Sequence, residues 1–269
     1  MSELDVAALP EKAAFAAANG WTYTPAGIPD FTGSMFDYLQ GATTADVFRT
    51  AEGARGPRTE VGLVTGTVAG GQAWPGTNGM VRTTFETNER YTMGYLAIQL
   101  DAALPQYVLD AKRNDAGPIS SIIMPIAGGQ IISLEGDFDS HFTLYGPKGY
   151  ERDARYVFTP DLMGLLIDET GDFDVEIVDD RLYVYARGGW DLASATLWRR
   201  LSRIRDVVGA KALRQTMRYS DERPPVEGGR RLRLGLLGSR SKVGVIFLVA
   251  LVVATLGGVL GMAVLFLTW

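Results

Sequence analysis

The sequence predicts an α+β protein: a head of mostly antiparallel β-sheet with a few helices, followed by one C-terminal transmembrane helix. Three observations predict it. From Glu60 onward, short runs alternate with the period of two that a half-buried strand requires. Late in the chain, Leu197, Leu201, Ile204 and Val208 fall at i, i+4, i+7 and i+11, one stripe of a helix. Residues 243–269 contain no charged side chain at all.

Taken in order, residues 6–19 are alanine-rich and predict a helix with Pro10 in its first turn and Gly20 as its stop. Residues 21–33 mix aromatics, glycine and proline and predict irregular or edge structure. Residues 36–48 fit a short helix or a loop. Strands follow at 61–66, 80–85, 91–100 and 106–111, with 69–79 a glycine-rich loop and 87–90 a hairpin connection. Together these predict a β-meander with one wet face.

Residues 114–118 form the best internal break. Beyond them, 131–134 and 142–145 predict strands. Thr159-Pro160-Asp161 opens a helix over 162–168, with proline at the first turn. Phe173, Val175 and Ile177 alternate with acidic residues, and Leu182, Val184 and Ala186 alternate with tyrosines, so Asp179-Asp180 predicts a tight hairpin. A long helix runs from about 192 to 219. Residues 220–242 are polar, with Pro224-Pro225 and Gly228-Gly229, and predict a basic flexible linker. The division is therefore a head over 1–219, a linker over 220–242 and a membrane helix over 243–269.

As a helix the last segment spans about 40 Å, against a hydrocarbon core of about 30 Å. Arg230, Arg231, Arg233, Arg240 and Lys242 precede it, which the positive-inside rule places in the cytoplasm. The N-terminal residues lack the apolar run of a signal peptide. The expected location is the cell membrane, single-pass, with the N-terminal head cytoplasmic. The basic residues read as a lipid-facing collar, so membrane lipids are an expected partner. Ala250, Ala254, Gly257 and Gly261 form a small-residue stripe, which predicts a homodimer or a membrane-protein partner through the span.

The net charge of −5 conceals a polarity: residues 211–242 hold nine Lys/Arg and three Asp/Glu, leaving −11 over residues 1–210. An acidic head does not suit nucleic acid. The absence of cysteine excludes disulfides, thiolate metal sites and thiol nucleophiles. Arginine in place of lysine, with much alanine and glycine, is the composition of a high-GC bacterial genome.

His141 is the sole histidine, and its neighbour Ser140 points to the opposite face if the segment is a strand. Glu135, Asp137 and Asp139 alternate, could share one strand face, and are the candidates for a Ca²⁺ or Mg²⁺ site. A second acidic cluster, Asp172, Asp174, Glu176, Asp179 and Asp180, reads as a solvated turn and a charged sheet edge. No glycine-rich stretch matches a dinucleotide or phosphate loop. The expectation is no cofactor and no catalytic residue.

Residues 136–166 and 173–186 carry a further pattern: Phe138, Phe142, Leu144 and Tyr145 as F-x-x-x-F-x-L-Y, then Thr159, Pro160, Leu162 and Met163, then Val175, Ile177, Leu182, Val184 and Tyr185 in a closing strand pair. Over about 50 to 60 residues it resembles uncharacterised bacterial membrane-anchored proteins of a domain-of-unknown-function family. The resemblance implies a shared fold and membrane association, and brings no catalytic residue with it. The expectation is a non-catalytic binding or scaffold module. A carboxylate- or metal-dependent enzyme acting at the membrane or envelope, and a ligand sensor, are the alternatives.

Overall fold

The computed structural model describes residues 4–27, 35–54, 56–68, 74–75, 81–82, 90–115, 122–123, 126–221 and 229–234. Its strands are β1 (Trp21–Gly27), β2 (Leu39–Thr50), β3 (Thr59–Val68), β4 (Trp74–Pro75), β5 (Val81–Arg82), β6 (Arg90–Ala111), β7 (Ile131–Ile132), β8 (Phe142–Tyr145) and β9 (Asp174–Arg187). Its helices are α1 (Lys12–Ala18), α2 (Phe138–His141), α3 (Glu151–Val157), α4 (Pro160–Thr170), α5 (Ala195–Ile204) and α6 (Ala210–Thr216), with a 3₁₀ turn at Met35–Tyr38 and a π turn at Arg205–Gly209. The predicted α+β class, mostly antiparallel sheet with several helices, is what the chain adopts.

Seven strands form one sheet in the order β1-β2-β3-β6-β8-β7, with β9 also paired to β6. All its ladders are antiparallel. The organising element is β6. Along one edge it carries β9; along the other it pairs first with β3 and then with β8. The predicted strands 91–100 and 106–111 are thus one strand. Pro105 can sit inside it because it lies where the pairing with β9 shifts register, between Leu104 and Tyr107, so the missing N–H costs no regular ladder bond.

That shift also changes which face a side chain takes. Leu96, Ile98 and Leu100 point into the helix-covered core, and beyond the irregularity Tyr107, Leu109 and Ala111 do. The partner strand makes the same exchange: Val175 and Ile177 face the helices before Asp179, and Leu182, Val184 and Ala186 after it. Asp179 has φ of 49°, the left-handed backbone of a bulge. The hairpin expected at Asp179-Asp180 is therefore a bulge within β9. Both devices produce the same alternation in sequence, because each moves the apolar set from odd to even positions.

The helices cover one face of the sheet. Trp198, Leu201, Ile204, Val208 and Ala212 form the buried stripe of the α5–π–α6 unit. Leu197 of the predicted stripe is only partly buried, at its margin. Trp198 packs on Phe15 of α1 and Phe48 of β2, with ring centroids 4.7 and 4.8 Å apart. The π turn lowers Gly209 onto Ile98, where an added Cβ would lie 2.8 Å from Ile98 Cδ1. Ser194 caps α5 by accepting from Leu197 N at 3.3 Å.

Elsewhere the expectations need correction. The N-terminal helix begins at Lys12 rather than residue 6. Residues 36–48 are a 3₁₀ turn followed by β2; Gly41 and Asp46 with positive φ, and two register shifts against β3, break the alternation that would have marked a strand. Residues 135–139 are not a strand face but a turn leading into α2. Residues 243–269 lie outside the described residues; among those described, no helix is long and apolar enough to cross a membrane.

Candidate functional site: the seat of residues 229–234

The face of the sheet opposite the helices is aromatic. Phe36, Tyr95, Tyr183 and Tyr185 cluster there with Met35, Met93 and Val178. Phe36 meets the Tyr185 ring edge-on at 4.9 Å, and Tyr183 stacks on Tyr185. Leu232 is buried in this cluster. It arrives on a segment that the sequence assigns to a flexible linker and that instead binds the head along its described length.

Two glutamines make the seat. Gln106, in β6, receives the segment on both its main chain and its side chain. Its N donates to Arg230 O at 2.7 Å and its Oε1 accepts from Leu232 N at 3.0 Å. Gln130 holds the next residue: its Oε1 accepts from Arg233 N at 2.7 Å, and its Nε2 donates to Arg233 O at 2.7 Å. Ala127 N also donates to Arg233 O, at 2.9 Å, and Ile126 bridges to Leu234. Amide side chains suit this task because each carries a donor and an acceptor and so satisfies a peptide unit as a neighbouring strand would.

Beneath the seat lies Glu176, which is fully buried. Its Oε1 accepts from Gln106 Nε2 at 2.7 Å; its Oε2 accepts from Tyr185 OH at 2.6 Å and from Met35 N at 2.9 Å. Burial pushes its carboxyl above the usual value of 4.5, and the donors from Tyr185, Met35 and Gln106, with Arg231 nearby, pull against it. One chain of bonds therefore runs from the 3₁₀ turn at Met35 through Glu176 and Gln106 to Leu232. Asp174, two residues earlier in β9, is buried too and accepts from Ala111 N at 2.9 Å and Asn114 Nδ2 at 3.1 Å. The acidic run read as a solvated edge thus holds two interior carboxylates. Their strand is covered on both faces, and the sequence showed only one.

Two basic residues of the segment, Arg230 and Arg231, also bond to the head. Arg231 Nη2 donates to Asp179 Oδ2 at 2.5 Å, across the bulge. Arg230 lies 3.2 Å from Asp221 Oδ2, and its Nη2 donates to Ala103 O at 3.1 Å. Asp221 in turn accepts from Tyr150 OH at 3.1 Å. Arg233 is exposed. Arg240 and Lys242, and the stripe Ala250, Ala254, Gly257 and Gly261, lie outside the described residues.

The carboxylates at 135–139 part company. Asp139 Oδ1 accepts from Leu134 N at 3.2 Å and its Oδ2 from Ser133 Oγ; Asp137 lies 3.5 Å from His141 Nε2 on the surface. Ser140 Oγ donates to Asp137 O at 2.6 Å, tying off the first turn of α2. Among the described residues no three Asp, Glu or His side chains gather as a metal site would require.

No protein-family model matches the chain. No curated protein matches it either. Among solved structures, the mycobacterial trehalose monomycolate transport factor A, TtfA, is similar with a TM-score of 0.44 and 12% identity, over 81% of this chain and 98% of that one. Nothing about function follows from a likeness at that level.

Proposed function

We propose that the chain is a non-catalytic binding or scaffold module, anchored by a single membrane helix over 243–269 with its head on the cytoplasmic face. The observation that carries this reading is the seated segment. Residues 229–234 are bound to the sheet through Gln106 and Gln130, and nine residues on begins the apolar run. That stretch reaches at most about 30 Å even fully extended, so a membrane helix there would hold the head close to the lipid surface. The charge-free run, the basic residues before it and the resemblance to membrane-anchored proteins all support the anchor. The partners proposed are membrane lipids and a second copy or another membrane protein packed on the Ala250–Gly261 stripe.

The test is affinity purification of the full chain from native membranes in mild detergent, beside chains ending after Leu234 and after Tyr219. A specific companion on the full chain, lost from both shortened forms, is the expected result. The same companion on all three forms would remove the membrane helix from the account, and none on any would remove the scaffold reading.

A sensor reading gains from the same observation. A tether built into the head can pass on a change in the head, which a loose linker could not.

A further inference from the structure

A second feature lies away from the seat, where the end of β2 and the start of β3 meet β6 and β9. A cleft of about 380 Å³ opens there, lined by Arg49, Thr50, Arg58, Glu60, Gln99 and Arg181 among others. The sheet register sets these residues side by side: Arg49 opposite Glu60, Glu60 opposite Ala97, and Gln99 opposite Arg181. Arg49, Thr50, Glu60, Gln99 and Arg181 are strand positions whose spacing is fixed by backbone pairing, and Arg58, one residue before β3, is held beside them by Gln99 N donating to its carbonyl at 2.8 Å.

The charges are unbalanced. Glu60 is already bound on both oxygens, Oε2 by Arg49 Nε and Oε1 by Tyr95 OH at 2.5 Å. Arg181 Nε lies 3.9 Å from Asp180 Oδ1, a loose pairing, while Asp180 Oδ2 accepts from Gln99 Nε2 at 2.6 Å. Arg58 has an exposed side chain with no hydrogen bond or ion pair among the described residues. Three guanidiniums line the cleft against Glu60, with Asp180 beside Arg181, which leaves one positive charge in excess, in a head that is acidic overall. Guanidinium groups offer paired N–H donors that match a tetrahedral phosphate, and a phosphate monoester carries about −1.5 to −2 at neutral pH.

We propose that this cleft is a binding site for a phosphate monoester, gripped by Arg58 and Arg181 with Arg49 and Thr50 at its wall. Its volume takes one phosphate with a small organic group. The chemistry is shared by a soluble phosphate ester and by a lipid headgroup, and the test separates them. The full chain in phosphate-free maltoside micelles is titrated calorimetrically with inorganic phosphate. It is titrated separately with dioleoyl phosphatidic acid carried in the same micelles. The Arg58→Gln/Arg181→Gln double variant is expected to bind at least tenfold more weakly than the parent, and Arg218→Gln, at an exposed site elsewhere, to bind as the parent does.

Saturation by inorganic phosphate alone assigns a soluble ligand; saturation by phosphatidic acid alone assigns a headgroup; either supports the site when the double variant loses it. If the double variant is unstable, Arg58→Gln alone still reads the site, with a loss of at least threefold. Equal affinity in parent and variants, or no binding of either probe at millimolar concentration, overturns the proposal. Neither result depends on whether residues 229–234 stay seated or on what residues 243–269 do.

Discussion

Gln106 joins the described segment to the buried Glu176. Its side chain is buried and bonds Leu232 N and Glu176 Oε1. Truncation in Gln106→Ala leaves a buried N–H and a buried carboxylate oxygen unmatched, and should cost about 2–4 kcal/mol. Chemical denaturation of parent and variant measures it, and a loss below about 1 kcal/mol would mean the bonds do not form in solution. Glu176 gives a prediction with a sign. Its folded carboxyl titrates above 4.5, so the folded state binds a proton more tightly than the unfolded chain does. The stabilisation from that proton is fully present below about 4.5 and is lost as pH rises through the folded value. Parent minus Glu176→Gln stability should therefore fall as pH rises from 4.5, and a flat difference would contradict the burial. Neither residue announced itself in the sequence. A lone glutamine has no periodic neighbour, and Glu176 stood in an alternation that normally sends acids to water.

At the scale of elements, the packing is close where the Trp190 ring meets the sheet. An added Cβ at Gly94 of β6 would lie 2.5 Å from the Trp190 ring. Gly94→Ala should thus lose about 1–3 kcal/mol through overpacking, read as a lower urea midpoint at unchanged slope. Trp198→Ala removes the ring that joins α5 to Phe15 and Phe48, and should lose about 3–5 kcal/mol. The elements that could be read from sequence were those with an unbroken period: β3, the helix opened by Thr159-Pro160, and the α5–α6 stripe. Those that could not were bulged. In β2 the positive φ of Gly41 and Asp46 interrupts the alternation, and in β9 the bulge at Asp179 imitates a hairpin.

At the scale of the whole molecule, the seven-stranded sheet among the described residues has two unequal faces, helices over one and a small aromatic cluster, with residues 229–234 upon it, over the other. Composition made the first face visible, since amphipathic helices write their stripe into the chain. The second was hidden because residues 229–234, which lie over it, are one glycine, three arginines and two leucines, and of these only Leu232 is buried. Removing that cover should matter: a chain ending after Tyr219 exposes Leu232's seat and leaves Gln130 without Arg233, and should be less stable than one ending after Leu234. Thermal unfolding of the two compares them directly, and equal midpoints would mean the segment adds nothing to the head.

The central claim is that residues 229–234 are part of the folded head. Hydrogen–deuterium exchange of the full chain in micelles tests it at the amides of Leu232 and Arg233, which donate to Gln106 and Gln130. Both amides should be protected in the parent, and both should exchange at least tenfold faster in the Gln106→Ala/Gln130→Ala variant while β3 stays protected. Amides at 232 and 233 that exchange in the parent as fast as an unfolded peptide would contradict the account.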